Sequence, residues 1–360
     1  MAAERYGAAA ARPAGAAWGR DGGTRWARAV PPQFLMIVPA TAALYAVSLA
    51  VAPGSVAPSS ILTVLSFASI LALAALGQTL VIQQGGLDLS VPGVISLAAV
   101  LVTKFSAGSD AALAVWIAAA LGCGVASGLV CGLAITRFLI TPLVATLAVN
   151  ALLTGTVLYI TKGASTEAVP PGLAAFAAGR SGGVPNLAWF ALAVVALAET
   201  VMRGTATGRR FVAVGVSPAA ARAAALPVAR TRVATYAAAG FFYALAGVLL
   251  AGYLGVPSLL VGQTYLLPTI TVVVLGGTSL AGGTGSVAAT AVGALFLVQL
   301  QQVIVGLGAP ISAQFIIQAA IILLGMALRI VPWRRGLARL RPRPRSGREA
   351  NKGGADHQAT

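Results

Sequence analysis

MRGTATGRRFVAVGVSPAAARAAALPVARTR, residues 202–232, is the one long interior segment that repeats positive charge, with Arg203, Arg209, Arg210, Arg222, Arg230 and Arg232 set between two strongly apolar runs. A basic loop held between membrane-length apolar runs frames the whole chain, because everything around it reads as bilayer-embedded. Its middle predicts a short helix over Ser217–Leu226: Ser217 can cap orphan N–H groups, Pro218 suits the first helical position, alanines follow, and Pro227 ends the run. Such a helix is too short to persist alone. Rimmed with arginine, it suits docking against another protein, with Ala221 and Arg222 at its centre; the alternative is an ordinary solvated loop.

Working outward, 58% of the 360 residues are hydrophobic and 9% are charged, against roughly 25% charged in a soluble domain. The mean hydropathy is +0.89. Apolar runs of about 20 residues, without the period-two alternation of a barrel strand, predict an all-α polytopic integral membrane protein. The net charge of +16 would suggest nucleic acid in a soluble chain. Here all but Lys104, Lys162 and Arg180 of the 24 lysines and arginines can sit on one side of the membrane, which is the positive-inside asymmetry, and nucleic acid is not an expected partner. Cys123 and Cys131 lie inside one apolar run and read as packing residues.

Ten spans are expected. They are 34–51, 61–83, a third element opened by Asp88, Ser90 and Pro92, then 111–135, 139–161, 186–202, a seventh from beyond Arg232 to Tyr253, 266–280, 287–305 and 311–328. The third element could instead be re-entrant or broken. Gly124, Gly128 and Gly132 repeat every four residues, which smooths one face of the fourth span for a close neighbour. This count makes residues 1–33 a cytoplasmic tail rather than a cleaved signal, 34–330 the transmembrane domain, 162–185 an outer loop, and 331–360 a basic cytoplasmic tail. Both termini would face the cytoplasm.

Three features bear on chemistry. In GQTLVIQQGGLDLSVPG, residues 77–93, Asp88 places a carboxylate at membrane depth, which costs about 3 kcal/mol or more unless it is paired or wet. It either stabilises a helix N-terminus or takes part in transport or gating. LGGTSLAGGTGS, residues 275–286, lacks the lysine of a phosphate-binding loop, so the chain is not its own ATPase; it is either a tight turn or backbone exposed to a translocation path. Gln78, Asn150 and Thr154 are expected to face a wet interior, with Thr278 and Ser279 nearby, because polar groups are costly in lipid. No catalytic or metal-binding constellation is visible, and the single histidine, His357, lies in the C-terminal tail. A secondary transporter would need intramembrane ionisable residues, for which only Asp88 and Glu199 qualify, both near an interface.

GQTLVIQQGGLDLSVPGVISLA, RFLITPLVATLAVN, the basic loop with YAAAGFFYALAGVLLAG, and LLPTITVVVLGGTSLAGGTGSV occur in an order that resembles the permease subunit of ribose-type ABC sugar importers. The resemblance covers most of residues 61–290 and implies the many-helix fold also seen in the cobalamin importer. It implies a homodimer in the lipid bilayer of the cytoplasmic (inner) membrane, two ATP-hydrolysing cassette subunits that hold ATP and Mg, an extracytoplasmic substrate-binding protein, and no cofactor in this chain. Gly86, Asp88, Leu89 and Ser90 match one family motif, and Gly276, Gly277, Thr278, Ser279, Gly282 and Gly283 match another. The basic loop matches the segment that contacts the ATPase, which makes Arg209, Arg210, Gly215, Ser217, Pro218, Ala221, Arg222 and Pro227 candidate coupling residues. Gln78, Asp88, Ser90, Asn150, Thr154, Thr278 and Ser279 are the candidate path or gating residues. Pro92, the GVSP sequence and Gln301–Gln302 depart from the family pattern. The expected function is import of a monosaccharide such as ribose, xylose or galactose, with nucleosides or branched-chain amino acids as alternatives.

Overall fold

The computed structural model describes residues 34–164 and 167–330. The expected tails, 1–33 and 331–360, lie outside the described residues. The described residues are helical nearly throughout: α1 Phe34–Val51, α2 Pro58–Gln83, α3 Val91–Lys104, α4 Asp110–Arg137, α5 Pro142–Thr161 and α6 Pro171–Ala178 lead to a hairpin of two-residue strands, β1 Arg180–Ser181 with β2 Val184–Pro185. Then follow α7 Asn186–Gly204, α8 Ala206–Val216, α9 Pro218–Ala223, α10 Val228–Leu254, α11 Leu266–Leu275, α12 Val287–Gly306 and α13 Ile311–Ile330. The sequence 181–184 turns the hairpin through Gly182 and Gly183, both at positive φ, a conformation that residues with a side chain rarely adopt.

Helix α2 is the axis. It is buried over nearly its whole length from Val64 to Gln83 and packs against α10, α12, α7 and α11. A helix apolar on every side has no face to give to water, so it occupies the centre. Helix α4 lies along α10. The glycine repeat of α4 makes that seam: a methyl on Gly132 would stand 2.8 Å from Val233 Cα, and methyls on Gly128 and Gly124 would overlap the carbonyl oxygens of Tyr236 and Gly240. Only glycine lets the two backbones come this close, which is the neighbour the four-residue spacing anticipates.

Among the described residues six helices are long and apolar enough to cross a membrane: α2, α4, α5, α7, α10 and α12. Shorter apolar helices accompany them. Among these, the 14-residue α3 is buried from Val91 to Thr103, and α11 follows a tight 3-10 turn over Val261–Tyr265. At 1.5 Å per residue α3 covers about 21 Å, short of the roughly 30 Å hydrocarbon core. Irregular backbone at membrane depth is tolerated where protein surrounds it. The broken-element reading of the third segment therefore describes it better than a full span.

The other departures are local. The expected 162–185 loop contains α6, whose Gly172 N–H donates to Asp110 Oδ1 at 2.8 Å. Ser217 caps as expected, accepting from Ala220 N at 3.2 Å, but the helix it opens ends at Ala223 and Ala225 is left-handed. The seventh helix begins at Val228 rather than beyond Arg232, so Arg230 and Arg232 are helical. An unexpected helix, α8, fills residues 206–216.

Candidate functional site

Three segments far apart in sequence meet at one end of the bundle. The first is the C-terminus of α2, where Gln83 and Gln84 are almost wholly buried. The second is α8, opened by Thr205, whose hydroxyl accepts from Gly208 N at 3.1 Å. Gly208, Phe211, Val214 and Gly215 form its buried face, while Arg209 and Arg210 are exposed. The third is the glycine-rich turn 276–286, in which Gly277, Gly282 and Gly283 hold positive φ.

Direct contacts tie them together. Gln84 Nε2 donates to the Phe211 carbonyl at 2.8 Å, and Gly283 N–H donates to the Gln83 carbonyl at 2.8 Å. Gly215 rests on α2: a methyl there would overlap the Gln83 carbonyl oxygen. A methyl on Gly283 would lie 2.9 Å from Val216 Cγ2. The turn also braces itself, with Ser279 N–H bonded to Thr284 O at 2.9 Å and Gly282 N–H to Ser279 O at 3.0 Å. A displacement of α8 therefore pushes directly on the end of α2 and on the glycine turn.

A second brace joins α7 to α12. Glu199 accepts from Ser286 Oγ at 3.2 Å and from Ala288 N at 3.1 Å, and it pairs with Arg203. Ser286 in turn accepts from Ala289 N at 3.2 Å. A carboxylate at a helix N-terminus is stabilised by the orphan N–H groups and the dipole. Glu199 is held as a cap, which is a structural use of an intramembrane-edge acid.

Of the candidate coupling residues, Arg222 is exposed on α9 while Ala221 is buried against Val214, Val228 and Leu226. Ala221 thus seats α9 on the bundle, and its neighbours Ala219, Ala220 and Ala223 face outward. Pro218 is the first residue of α9, and Pro227 directly precedes α10.

The candidate path residues are dispersed. Gln78 Oε1 accepts from Tyr243 Oη at 2.9 Å, joining α2 to α10. Asn150 Oδ1 accepts from Gly93 N at 2.8 Å and Thr146 Oγ1 from Leu89 N at 3.0 Å, so α5 closes the N-terminus of α3. Thr154, one turn on, has a buried hydroxyl without a partner. Asp88 is fully buried; its Oδ1 accepts from Ser90 N at 2.8 Å and Ser90 Oγ at 2.6 Å, while Oδ2 has no partner. Thr278 is buried and Ser279 half-buried within the glycine turn.

Sequence reasoning missed α8, Gln83 and Gln84 as contact points, and the Glu199 cap. The three- and four-residue spacing of Gly208, Phe211 and Gly215 was the available signal for α8. A largely apolar cavity of about 370 Å³ that also carries four glutamines lies between α2, α10, α12 and α13. Gln301, Gln302, Gln314 and Gln318 line it beside Phe67 and Tyr265.

An all-α bundle with six membrane-length helices among the described residues, short helices and irregular backbone enclosed in its core, and basic surface helices seated on those irregular segments, is the architecture of a multi-pass membrane protein. Residues 60–326 match the family model described as branched-chain amino acid transport system / permease component, and the chain belongs to that family. It is thus the permease component of an ABC importer, a non-catalytic transport subunit that works with an ATPase and a binding protein, and no cofactor is expected in this chain. It is 34% identical over 279 residues to the ribose import permease protein RbsC of Bacillus subtilis, covering 77% of this chain and 86% of the relative. It is 32% identical over 287 residues to RbsC of Escherichia coli K12, covering 79% and 89%. The autoinducer 2 import system permease protein LsrD of Yersinia pseudotuberculosis is 31% identical over 273 residues, covering 74% and 81%. No solved structure matches the chain.

Proposed function

We propose that this chain is the homodimeric membrane subunit of an ATP-driven importer for a monosaccharide of the ribose, xylose or galactose kind, with ten membrane segments and both termini in the cytoplasm. The observation that carries the reading is the junction of α8, the α2 C-terminus and the glycine turn. It offers a mechanical route from a surface helix to irregular backbone at membrane depth. In this reading the ATPase grips α9 and the exposed face of α8 through Arg209, Arg210 and Arg222, with Ser217, Pro218, Ala221 and Pro227 fixing the shape of the grip. Gly215 transmits the movement. Gln78, Asp88, Ser90, Asn150, Thr154, Thr278 and Ser279 then serve as path or gating groups, changing partners as the helices shift.

The glutamine-lined cavity supports a polyhydroxylated substrate, because carboxamides present both donors and acceptors to vicinal hydroxyls. The relatives named for ribose import support the same class, while the one named for autoinducer 2 import supports a second small polar solute. The test is uptake into vesicles holding the chain with its ATPase and binding protein, offered labelled ribose, xylose, galactose, autoinducer 2, leucine or adenosine in parallel. ATP-dependent uptake of a monosaccharide is the expected result. Transport confined to branched-chain amino acids or nucleosides would overturn the substrate reading and leave the importer class intact.

A further inference from the structure

At the end of the bundle that carries α8 and α9, recesses flank the α4–α10 seam. Small residues occupy its register at Gly124, Gly128 and Gly132, but the next position one turn on is the larger Thr136, which lines two recesses. The two adjoin, and both are also lined by Ala229 and Arg230. The first, about 420 Å³, is closed by Arg222, Arg232 and Pro227. The second, about 450 Å³, runs up the outside of the seam along Leu129, Leu133, Val233 and Ala234, with Arg137 at its mouth. Leu129 and Leu133 are 39% and 49% exposed, so this channel is an open apolar groove leading into a basic recess.

This charge has no acidic partner among the described residues. Among the described residues the acids are Asp88, Asp110, Glu167 and Glu199. Glu199 is paired with Arg203, Asp88 accepts from Ser90, Asp110 accepts from Gly172, and Glu167 lies in the α5–α6 connection, whose Val169 bonds Gly255 at the far end of α10. Among the described residues Arg137, Arg222, Arg230 and Arg232 make no ion pair, and Arg232 Nε is buried without a hydrogen-bond partner. Arg137, Arg222 and Arg230 are exposed and Arg232 Nε is buried without an acceptor, so the recess presents unshared guanidinium donors to an anion. The groove leading into it calls for a long apolar chain on the same molecule.

We propose that the recess and groove together bind one anionic phospholipid, its phosphate held by Arg230 and Arg232 with Arg222 at the rim, and one acyl chain laid along Leu129, Leu133 and Val233. Planar guanidinium groups match phosphate oxygens two at a time, and basic clefts between membrane helices suit acidic headgroups. An acidic patch on a protein partner would satisfy the arginines but leave the apolar groove unused. Because Arg222 and Pro227 belong to the α9 connection, a bound headgroup braces that connection against the α4–α10 pair. Membrane lipid charge then sets how firmly α9 is presented.

The test is native mass spectrometry of the purified chain released from nanodiscs of equal phosphatidylglycerol and phosphatidylcholine. The wild-type protein is expected to retain one phosphatidylglycerol with at least tenfold preference. R230Q/R232Q should lose that preference while keeping its phosphatidylcholine complement. Leu133→Trp, which fills the groove and leaves every arginine in place, should also lose it. No preference in the wild-type protein overturns the proposal without recourse to any variant. Retention by Leu133→Trp, together with displacement of the lipid by millimolar inorganic phosphate, would make the recess a simple anion site and overturn it too. Unchanged lipid retention in R230Q/R232Q, with loss of the ATPase on co-purification, would assign the arginines to protein docking instead.

Discussion

Gly215→Ala puts the proposed coupling route under the sharpest strain. The added methyl would overlap the Gln83 carbonyl oxygen and sit 3.3 Å from Gln83 C and 3.4 Å from Gln84 Nε2. Backbone cannot swing aside as the tip of a side chain can, so α8 must retreat from α2. Overpacking of this kind costs about 1–3 kcal/mol. That corresponds to a roughly 5- to 150-fold shift away from the seated junction. The Gln84–Phe211 and Gly283–Gln83 hydrogen bonds lie within the same junction and would lengthen with it. Gly122→Ala in α4 meets nothing within 4 Å and should be neutral or slightly stabilising, which makes it the matched control. In vesicles with ATPase and binding protein, Gly215→Ala should insert and assemble but lose most substrate-stimulated ATP hydrolysis and uptake. Wild-type uptake and stimulation in Gly215→Ala would refute the route.

Other perturbations probe separate parts of the account. Ala221→Pro removes the 2.9 Å bond from Ala221 N to Ser217 O and should cost about 3 kcal/mol in local helix stability, abolishing transport while membrane insertion survives; uptake at the wild-type rate would count against α9 as the docking helix. Glu199→Ala strips Ala288 N of its acceptor and Arg203 of its partner, so thermal unfolding in detergent should show a loss of about 1–3 kcal/mol, and an unmoved transition would contradict the cap. Asn150→Leu leaves Gly93 N–H unsatisfied at a similar cost, measurable in the same way. Cysteines at Thr154 and Ser279, in a background lacking Cys123 and Cys131, should react with water-soluble thiol reagents more readily during turnover; uniform inertness would make these groups purely structural.

The helices were largely legible because membrane length and apolar composition are local properties. The first span, expected at about 34–51, is the helix Phe34–Val51, and the glycine repeat of α4 announces a close neighbour without saying which. What could not be read was contact across distance. Gln78 was expected to face water because a buried amide is costly alone, yet its partner Tyr243 lies 165 positions away. Asn150 was read in the same way, and its partner is a backbone N–H 57 positions earlier. Helix α8 escaped notice because Gly208 and Gly215 weaken its intrinsic propensity. Those same glycines are what let it lie against Met202 and Gln83. The stretches 77–93, 202–232 and 275–286 each stood out in the sequence, but nothing in them said that Gln83, Gln84, residues 206–216 and the glycine turn touch.

The central claim is that this chain is a passive membrane subunit whose work is supplied by a partner's ATP hydrolysis. Sealed vesicles carrying the chain alone, or the chain with its ATPase and binding protein, allow solute uptake and ATP cleavage to be measured together. The account predicts no concentrative uptake by the chain alone under an imposed proton or sodium gradient. It predicts uptake in proportion to ATP cleaved once both partners are present. Gradient-driven accumulation by the isolated chain, indifferent to ATP, would contradict it.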